Sequence, residues 1–128
     1  MDERERYERG MSVRREVLGD AHVDRSLTQL SDFNREFQDL ISRYAWGEIW
    51  TRPGLERRTR TLITVALLVA LNRPVEFRMY VRAAIQNGVP RDEIKEVLLH
   101  TAIYCGLPAA NSAFREAEET LAALDQKS

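Results

Sequence analysis

Each of the four prolines in this chain lies at the edge of a helical pattern, and none lies inside one. Proline lacks a backbone N–H and has a fixed φ, so it is tolerated in the first turn of a helix and disrupts the interior. Between the prolines, apolar residues recur at intervals of three and four, which is typical of amphipathic helices. The pattern predicts an all-α protein of about six helices.

Start and stop residues place the first two predicted helices. The first runs from about Glu3 to Leu18 and stops at Gly19, a residue suited to the left-handed conformation that follows a helix. The second begins near Ser26 or Ser31 and carries an apolar stripe at intervals of three, four and seven. That stripe is predicted to be core, and its members are Leu27, Leu30, Phe33, Phe37, Leu40 and Ile41.

A third helix is predicted from Leu55 to Leu71, and its second half is apolar on every side. Such a helix is expected at the centre of a protein or inside an assembly. The chain then breaks at residues 72–74, 87–88 and 106–108, where proline, asparagine and glycine cluster. These breaks define three further helices.

Length and composition exclude several classes of protein. The 128 residues fit a single domain, predicted as 1–128, and the net charge of −1 gives no positive field for nucleic acid. The longest apolar run, Leu62 to Leu71, is far shorter than the roughly 20 residues of a membrane span. The charged N-terminus is unlike a targeting peptide, and the single cysteine forms no internal disulfide. A cytoplasmic protein that binds neither nucleic acid nor membrane is expected.

The densest chemistry lies in residues 44–54, which are predicted to connect two helices. This segment contains both tryptophans, Trp46 and Trp50, together with Glu48, Arg52 and a Pro-Gly turn. A connector needs only polar turn chemistry, so this concentration of aromatic and charged groups indicates a shaped pocket.

Further candidates flank this segment. Glu76 and Tyr80 are four residues apart on one helix face, which suits a proton relay but equally an exposed carboxylate and a packed ring. Arg52, Arg58 and Arg60 surround the entry to the third helix, where guanidinium groups either grip carboxylates or are solvated at the surface.

One histidine, His22, is predicted in a loop over residues 19–26. A loop histidine suits catalysis, although capping by Asp24 or Ser26 explains part of the segment without function. The other histidine, His100, is distant in sequence, and no carboxylates cluster at ligand spacing. No phosphate-binding loop or nucleophile elbow is present either. We therefore predict no metal, and we find no motif for a cofactor.

Three segments together resemble one family. Residues 15–26, 45–54 and 104–111 are similar to the 4-carboxymuconolactone decarboxylases, and the resemblance covers nearly the whole chain. It implies the helical fold of the alkylhydroperoxidase D proteins and assembly into a homo-oligomer such as a hexamer. It also implies cofactor-free decarboxylation of a dicarboxylate lactone in the protocatechuate branch of the β-ketoadipate pathway.

The resemblance also implies roles for particular residues. In such a lactone the ring carbonyl accepts the electrons that carbon dioxide leaves behind, so the protein must bind anions, exclude water and supply a proton. The implied site residues are Arg52 and Arg60 for anion binding, Trp46 and Trp50 for an apolar wall, Glu76 and Tyr80 for the proton, and His22 and Glu48 as second-line catalytic candidates.

The chain departs from the family pattern at Tyr80, where these decarboxylases usually have a histidine four residues after the glutamate. A phenol has an ordinary pKa of about 10 and is a poor base at neutral pH, unlike imidazole at about 6.5. Either Tyr80 keeps part of the role or the chain is a weakened variant. A lactone isomerase or hydrolase using the same pocket, and a non-enzymatic helical oligomer that binds or regulates, stay open as alternatives.

Overall fold

The computed structural model describes residues 1–126, which contain seven α-helices, one π-helical segment and no strand. The predicted all-α fold class is confirmed. No helix in this range has the length and apolar character needed to cross a membrane. The helices are α1 (Glu3–Leu18), α2 (Asp20–Thr28), α3 (Arg35–Leu40), the π-helical segment (Ile41–Ile49), α4 (Arg57–Ala70), α5 (Pro74–Gln86), α6 (Arg91–Tyr104) and α7 (Leu107–Gln126).

These helices form two compact units, Met1–Glu56 and a second that begins at Arg57. In the first unit, α1 has the predicted bounds. The Asp2 carboxylate accepts a hydrogen bond from the Glu5 N–H at 2.8 Å and caps the start of the helix. Gly19 ends it with a φ of +91°, a conformation that favours glycine.

Two glycines allow α1 to pack closely along the π-helical segment. A Cβ atom added to Gly10 would overlap the carbonyl oxygen of Ser42 and would lie 2.8 Å from the Gly47 nitrogen. A Cβ on Gly47 would overlap the carbonyl oxygen of Arg6. The two backbones are therefore in direct contact, and no larger residue fits at either glycine without moving a helix.

The second predicted helix is wrong as a continuous element. Helix α2 already begins at Asp20, and an irregular stretch from Gln29 to Asn34 separates it from α3. In that stretch the Ser31 N–H donates to Asn34 Oδ1 at 2.8 Å, and Asn34 Nδ2 donates to the Gln29 carbonyl at 3.0 Å. Side-chain bonds to the backbone compete with helical bonds, which explains the break.

The six apolar residues predicted as core in this region are not buried. Phe33 is 99% exposed and Phe37 59% exposed, and Leu27, Leu30 and the others are at most half-buried. An apolar period identifies one face of a helix but does not show whether the chain covers that face. The buried apolar side chains of this unit are Val13, Val17, Leu18, Val23 and Trp46.

The second unit is a four-helix cluster in which α4 contacts α5, α6 and α7, and α7 likewise contacts the other three helices. The prediction that α4 alone is central is therefore not confirmed. The predicted break before α5 is present, where Asn72 adopts a φ of +56° and Pro74 occupies the first turn. The core draws on all four helices: Val65, Val69, Phe77, Val81, Ala84, Val89, Ile94, Leu98, Ala113 and Ala117.

Only one face of α4 is covered within the second unit. Val65 and Val69 are buried on that face, whereas Ile63, Leu67 and Leu71 are 44%, 54% and 63% exposed. Exposed apolar surface on this scale is typical of a surface that meets another protein.

Candidate functional site

The aromatic segment of residues 44–54 is mostly helical, so its prediction as a connector is wrong. The π-helix extends to Ile49, and the Trp50 N–H donates to the Ala45 carbonyl five residues earlier at 3.0 Å. Only the residues after Trp50 form the turn that leads towards α4. The hydrogen bonds of a π-helix join residues five apart, one more than in an α-helix. Such turns are rare in proteins, and those that occur are frequently at functional sites. A pattern search at a period of 3.6 does not detect them.

Both tryptophans are held in a stacked pair. Trp46 is buried and Trp50 half-buried, and their ring centres are 4.8 Å apart with 29° between the planes. Offset stacking of this kind orients both rings beyond what burial alone would do. Within this pair the Trp46 ring is covered, and only part of Trp50 reaches the surface.

Residues of α1 bind this segment through what we call the Arg6 cluster, composed of Glu3, Arg6, Arg43, Tyr44 and Glu48. Arg6 Nε donates to Glu48 Oε2 at 3.2 Å, and another Arg6 nitrogen pairs with Glu3. The Tyr44 hydroxyl donates to both oxygens of Glu3 at 3.0 Å, and Arg43 pairs with the same carboxylate at 3.2 Å. Glu48, a second-line catalytic candidate, thus has an ion-pair partner.

Charge in this cluster alters two pKa values. Hydrogen bonding from Tyr44 lowers the pKa of Glu3 below its ordinary 4.5, against the effect of partial desolvation and with help from Arg43 and Arg6. Hydrogen bonding to Glu48 raises the pKa of Arg6. The Glu3 contacts therefore stabilise the folded state above about pH 4.5, and this contribution is lost as the pH falls through the lowered pKa.

His22 lies in helix α2 and not in a loop, which corrects the prediction. The glycine that ends α1 directly precedes α2, so the two helices follow each other without a loop. Asp24, predicted as a cap, lies within α2 and pairs with Arg15 at 2.9 Å. Asp20 and then Asp24 raise the pKa of Arg15 by hydrogen bonding. His22 itself is half-buried.

The three candidate arginines have different surroundings. Arg52 is exposed in the turn after the π-helical segment, where its backbone N–H donates to the Ile49 carbonyl at 3.1 Å. Arg60 is half-buried in the first turns of α4. Arg58 forms an ion pair with Glu93 of α6, which gives it a structural partner in the second unit.

Glu76 and Tyr80 lie one turn apart on α5, as the spacing predicted. Glu76 is in the first turn, both side chains are half-buried, and Tyr80 packs against the core of the second unit. Residues at this spacing share a helix face, so a carboxylate and a phenol are presented on the same side.

Cavities in the second unit lie elsewhere. One of about 30 Å³ lies at the break between α4 and α5 and is lined by Asn72, Arg73 and Phe77 among others. Another of about 200 Å³ lies between α6 and α7. Neither is lined by Arg60 or Tyr80. Within residues 1–126, no three histidine, cysteine, aspartate or glutamate side chains gather as metal ligands would.

Sequence reasoning missed the contribution of α1. Arg6 is 42 residues from Glu48 and lies in a helix rich in charges, so nothing in its local sequence distinguishes it. One signal was available: Gly10 interrupts a helical pattern, and Gly47 lies within the aromatic segment. A glycine inside a helix often marks close packing.

Comparison with known proteins gives consistent matches. Residues 35–119 match the model of the carboxymuconolactone decarboxylase family. The chain is 56% identical to the 4-carboxymuconolactone decarboxylase of Acinetobacter baylyi over 93% of its length and 89% of that protein. It is 39% identical to a nitrosuccinic acid decarboxylase of Metarhizium robertsii over 90% of the chain and 80% of that protein. A 48-residue 4-carboxymuconolactone decarboxylase sequence of Pseudomonas putida matches at 65% over 38% of the chain and 100% of its own length.

Proposed function

The chain belongs to the carboxymuconolactone decarboxylase family, and we propose that it converts 4-carboxymuconolactone to the β-ketoadipate enol-lactone with release of carbon dioxide. The observation that carries this proposal is 56% identity, over nearly the whole chain, to a protein with that named activity. The step would belong to protocatechuate breakdown by the β-ketoadipate pathway.

The proposed reaction needs no group beyond the substrate and the protein. The departing carboxylate is on a ring carbon joined to a C=C–C=O unit. When its C–C bond breaks, the electron pair moves through the double bond to the ring carbonyl and gives a dienolate. A proton added at the carbon next to the carbonyl then gives the enol-lactone. The protein has to hold the acid, stabilise the developing oxyanion and donate that proton.

Arginines and tryptophans take the binding roles in this proposal. Arg52 and Arg60 bind the acetate carboxylate and the oxyanion, since guanidinium groups match both in geometry and charge. Trp50 forms an apolar wall beside the departing carboxylate, with the buried Trp46 ring stacked behind it. The charge of that carboxylate disperses as carbon dioxide forms, so a water-poor surface favours the transition state over the ground state. The stacked geometry of the two rings supports this assignment.

The proton is assigned to the residues on α5. Tyr80 donates the proton, and Glu76, one turn away, orients or reprotonates the phenol. Their half-buried positions on one helix face support this pairing. His22 and Glu48 are kept as second-line candidates, although the ion pair of Glu48 with Arg6 favours a structural use of that carboxylate.

Identification of the product tests the reaction. Incubation of purified protein with the freshly generated lactone, followed by NMR, should show the enol-lactone with one carboxylate fewer. An isomer that retains both carboxylates would indicate a lactone isomerase, and a ring-opened acid a hydrolase. Either product, or none beyond the spontaneous reaction, would contradict the proposed decarboxylation.

A second candidate substrate is nitrosuccinic acid, which the relative at 39% identity favours. This acid also has two carboxylates, one of them on a carbon next to an electron-accepting group. Its nitro group would take the electrons as a nitronate, as the ring carbonyl does in the lactone. A ratio of kcat/KM that favours nitrosuccinate over the lactone would make it the preferred substrate.

We also propose that the protein is a homo-oligomer, in the form of a hexamer. The exposed apolar faces of the second unit support assembly with further copies. They comprise Ile63, Leu67, Leu71 and Val75 near the α4–α5 break and Leu99, Ile103, Tyr104 and Leu107 near the end of α6.

Light scattering tests the assembly through Leu67→Glu. Wild-type protein should have a mass six times that of one chain, and a charge at the 54% exposed Leu67 should shift it to smaller species because an ion buried at an interface is costly. Gln86→Glu adds the same charge at an exposed residue of α5 and should leave the mass unchanged. A wild-type mass of one chain at micromolar concentration would contradict the proposal.

Two further proposals concern the chain as a whole. The family match at residues 35–119 spans both compact units, which supports a single functional domain over 1–128. The second proposal is that the protein is cytoplasmic. Its single cysteine, Cys105, is a free thiol, and thiols stay reduced in the cytoplasm.

A further inference from the structure

The Arg6 cluster connects α1 to the segment that carries both tryptophans. The Arg6 side chain contacts Glu3 on its own helix and two groups on the π-helical segment. It donates to Glu48 at 3.2 Å, and its guanidinium carbon lies 5.2 Å from the centre of the Tyr44 ring. One planar cation therefore contacts two carboxylates and one aromatic face, which an ammonium group cannot reproduce.

From this arrangement we propose that Arg6 is a positioning residue, which holds the π-helical segment so that Trp46 and Trp50 are correctly placed for decarboxylation. The inference rests on the proposed function, because that function makes Trp50, with Trp46 stacked behind it, the wall beside the departing carboxylate. Arg6 acts through Glu48 and Tyr44 and does not need to touch the substrate.

The position of Glu48 explains how Arg6 can hold both tryptophans through one contact. Glu48 lies midway between the two tryptophans along the segment, two residues from each. A contact that holds Glu48 therefore holds the backbone that both rings share. The backbones are also in contact, because a Cβ on Gly47 would overlap the Arg6 carbonyl oxygen. A shift of α1 at Arg6 would be transmitted to the segment without a gap to absorb it.

The burial of Arg6 distinguishes it from its neighbours on α1. Its side chain is 18% exposed, whereas Arg4, two residues earlier, is 88% exposed and pairs only along the helix surface with Glu8. Exposed pairs of the Arg4 type contribute little. A π-helix is rare and is mostly limited to a single turn, so a contact from another helix, such as that of Arg6, helps to hold this nine-residue segment.

Arg6→Gln tests the proposal, with Arg4→Gln as the matched control. We expect Arg6→Gln to lower kcat about tenfold with KM within about twofold, because a loosened wall admits water and weakens an interaction made in the transition state. Arg6→Lys should recover little of the loss. Tryptophan emission should shift to longer wavelength in both Arg6 variants, and Arg4→Gln should match the wild type in kcat and emission.

A double variant separates positioning by Arg6 from direct catalysis by Glu48. If Arg6 acts through Glu48, Arg6→Gln combined with Glu48→Gln should be no slower than the slower of the two single variants. Additive losses would overturn the inference, as would an Arg6→Gln protein identical to Arg4→Gln in kcat and emission. An inactive wild type would contradict the proposed function instead, and emission would still show whether Arg6 holds the segment.

Discussion

Replacement of Tyr80 by phenylalanine should lower kcat for decarboxylation by about 100-fold, the contribution expected of a positioned general acid. The substitution removes one hydroxyl and leaves the ring that packs against the core of the second unit. Folding should therefore be little affected, and KM should change less than kcat. Steady-state kinetics with the lactone, at temperatures well below the Tm of both proteins, would measure the effect.

Tyr80→His should act in the opposite direction and raise kcat about tenfold. Imidazole titrates near neutral pH and exchanges protons more readily there than a phenol, whose ordinary pKa is about 10. Tyr7→Phe is the matched control, because it removes a phenol hydroxyl from α1 and keeps the ring that lies beside Arg43. If both Tyr80 variants keep the wild-type kcat, the donor is elsewhere, and His22→Gln would be the next variant to examine.

Gly10→Ala should lower the free energy of unfolding by about 3 kcal/mol and the Tm by about 10 °C. The new Cβ would overlap the carbonyl oxygen of Ser42. That oxygen belongs to the backbone of the π-helical segment, so no side-chain rotation relieves the overlap and α1 must move away. Thermal unfolding followed by circular dichroism would measure the change.

Gly54→Ala is the control for this prediction. Gly54 has no atom within 4 Å of an added Cβ and does not need a positive φ, so its substitution should change the stability by less than about 0.5 kcal/mol. Equal stability losses in both variants would show that the close approach of α1 to the π-helical segment is not the cause. An unchanged Tm for Gly10→Ala would contradict the packing directly.

Sequence predicted the helices that begin or end at strong local signals. The end of α1 follows from Gly19, and the bounds of α5 follow from Pro74 and the Asn87–Gly88 turn. The region between α1 and α4 could not be predicted in this way. Its break depends on side-chain bonds of Asn34, and its π-helix has no simple sequence signature.

Burial was harder to predict than helicity. The stripe that includes Phe33 and Phe37 has a clear apolar period, yet both residues are exposed in one chain. The apolar period of a helix depends on local sequence, whereas the burial of its apolar face depends on which other elements pack against that face. The same limit applies to α4, where Val65 is buried and Leu67 is half exposed although the sequence around them is uniformly apolar.

The sequence indicated which residues are capable of chemistry, but it did not indicate which residues they contact. The tryptophans were singled out because they concentrate in one segment, and their stacking on each other was not predicted. The pairing of Glu48 with Arg6 spans 42 residues and required the structure. Local patterns identify groups capable of chemistry, but the fold determines which of them are already occupied by an ion pair.

Carbon dioxide release from freshly generated 4-carboxymuconolactone is the decisive assay for the proposed decarboxylation. With purified wild-type protein, we expect one carbon dioxide for each lactone consumed, at a rate proportional to protein concentration and far above the spontaneous rate. Release at only the spontaneous rate, with the protein shown to be folded by circular dichroism, would contradict it.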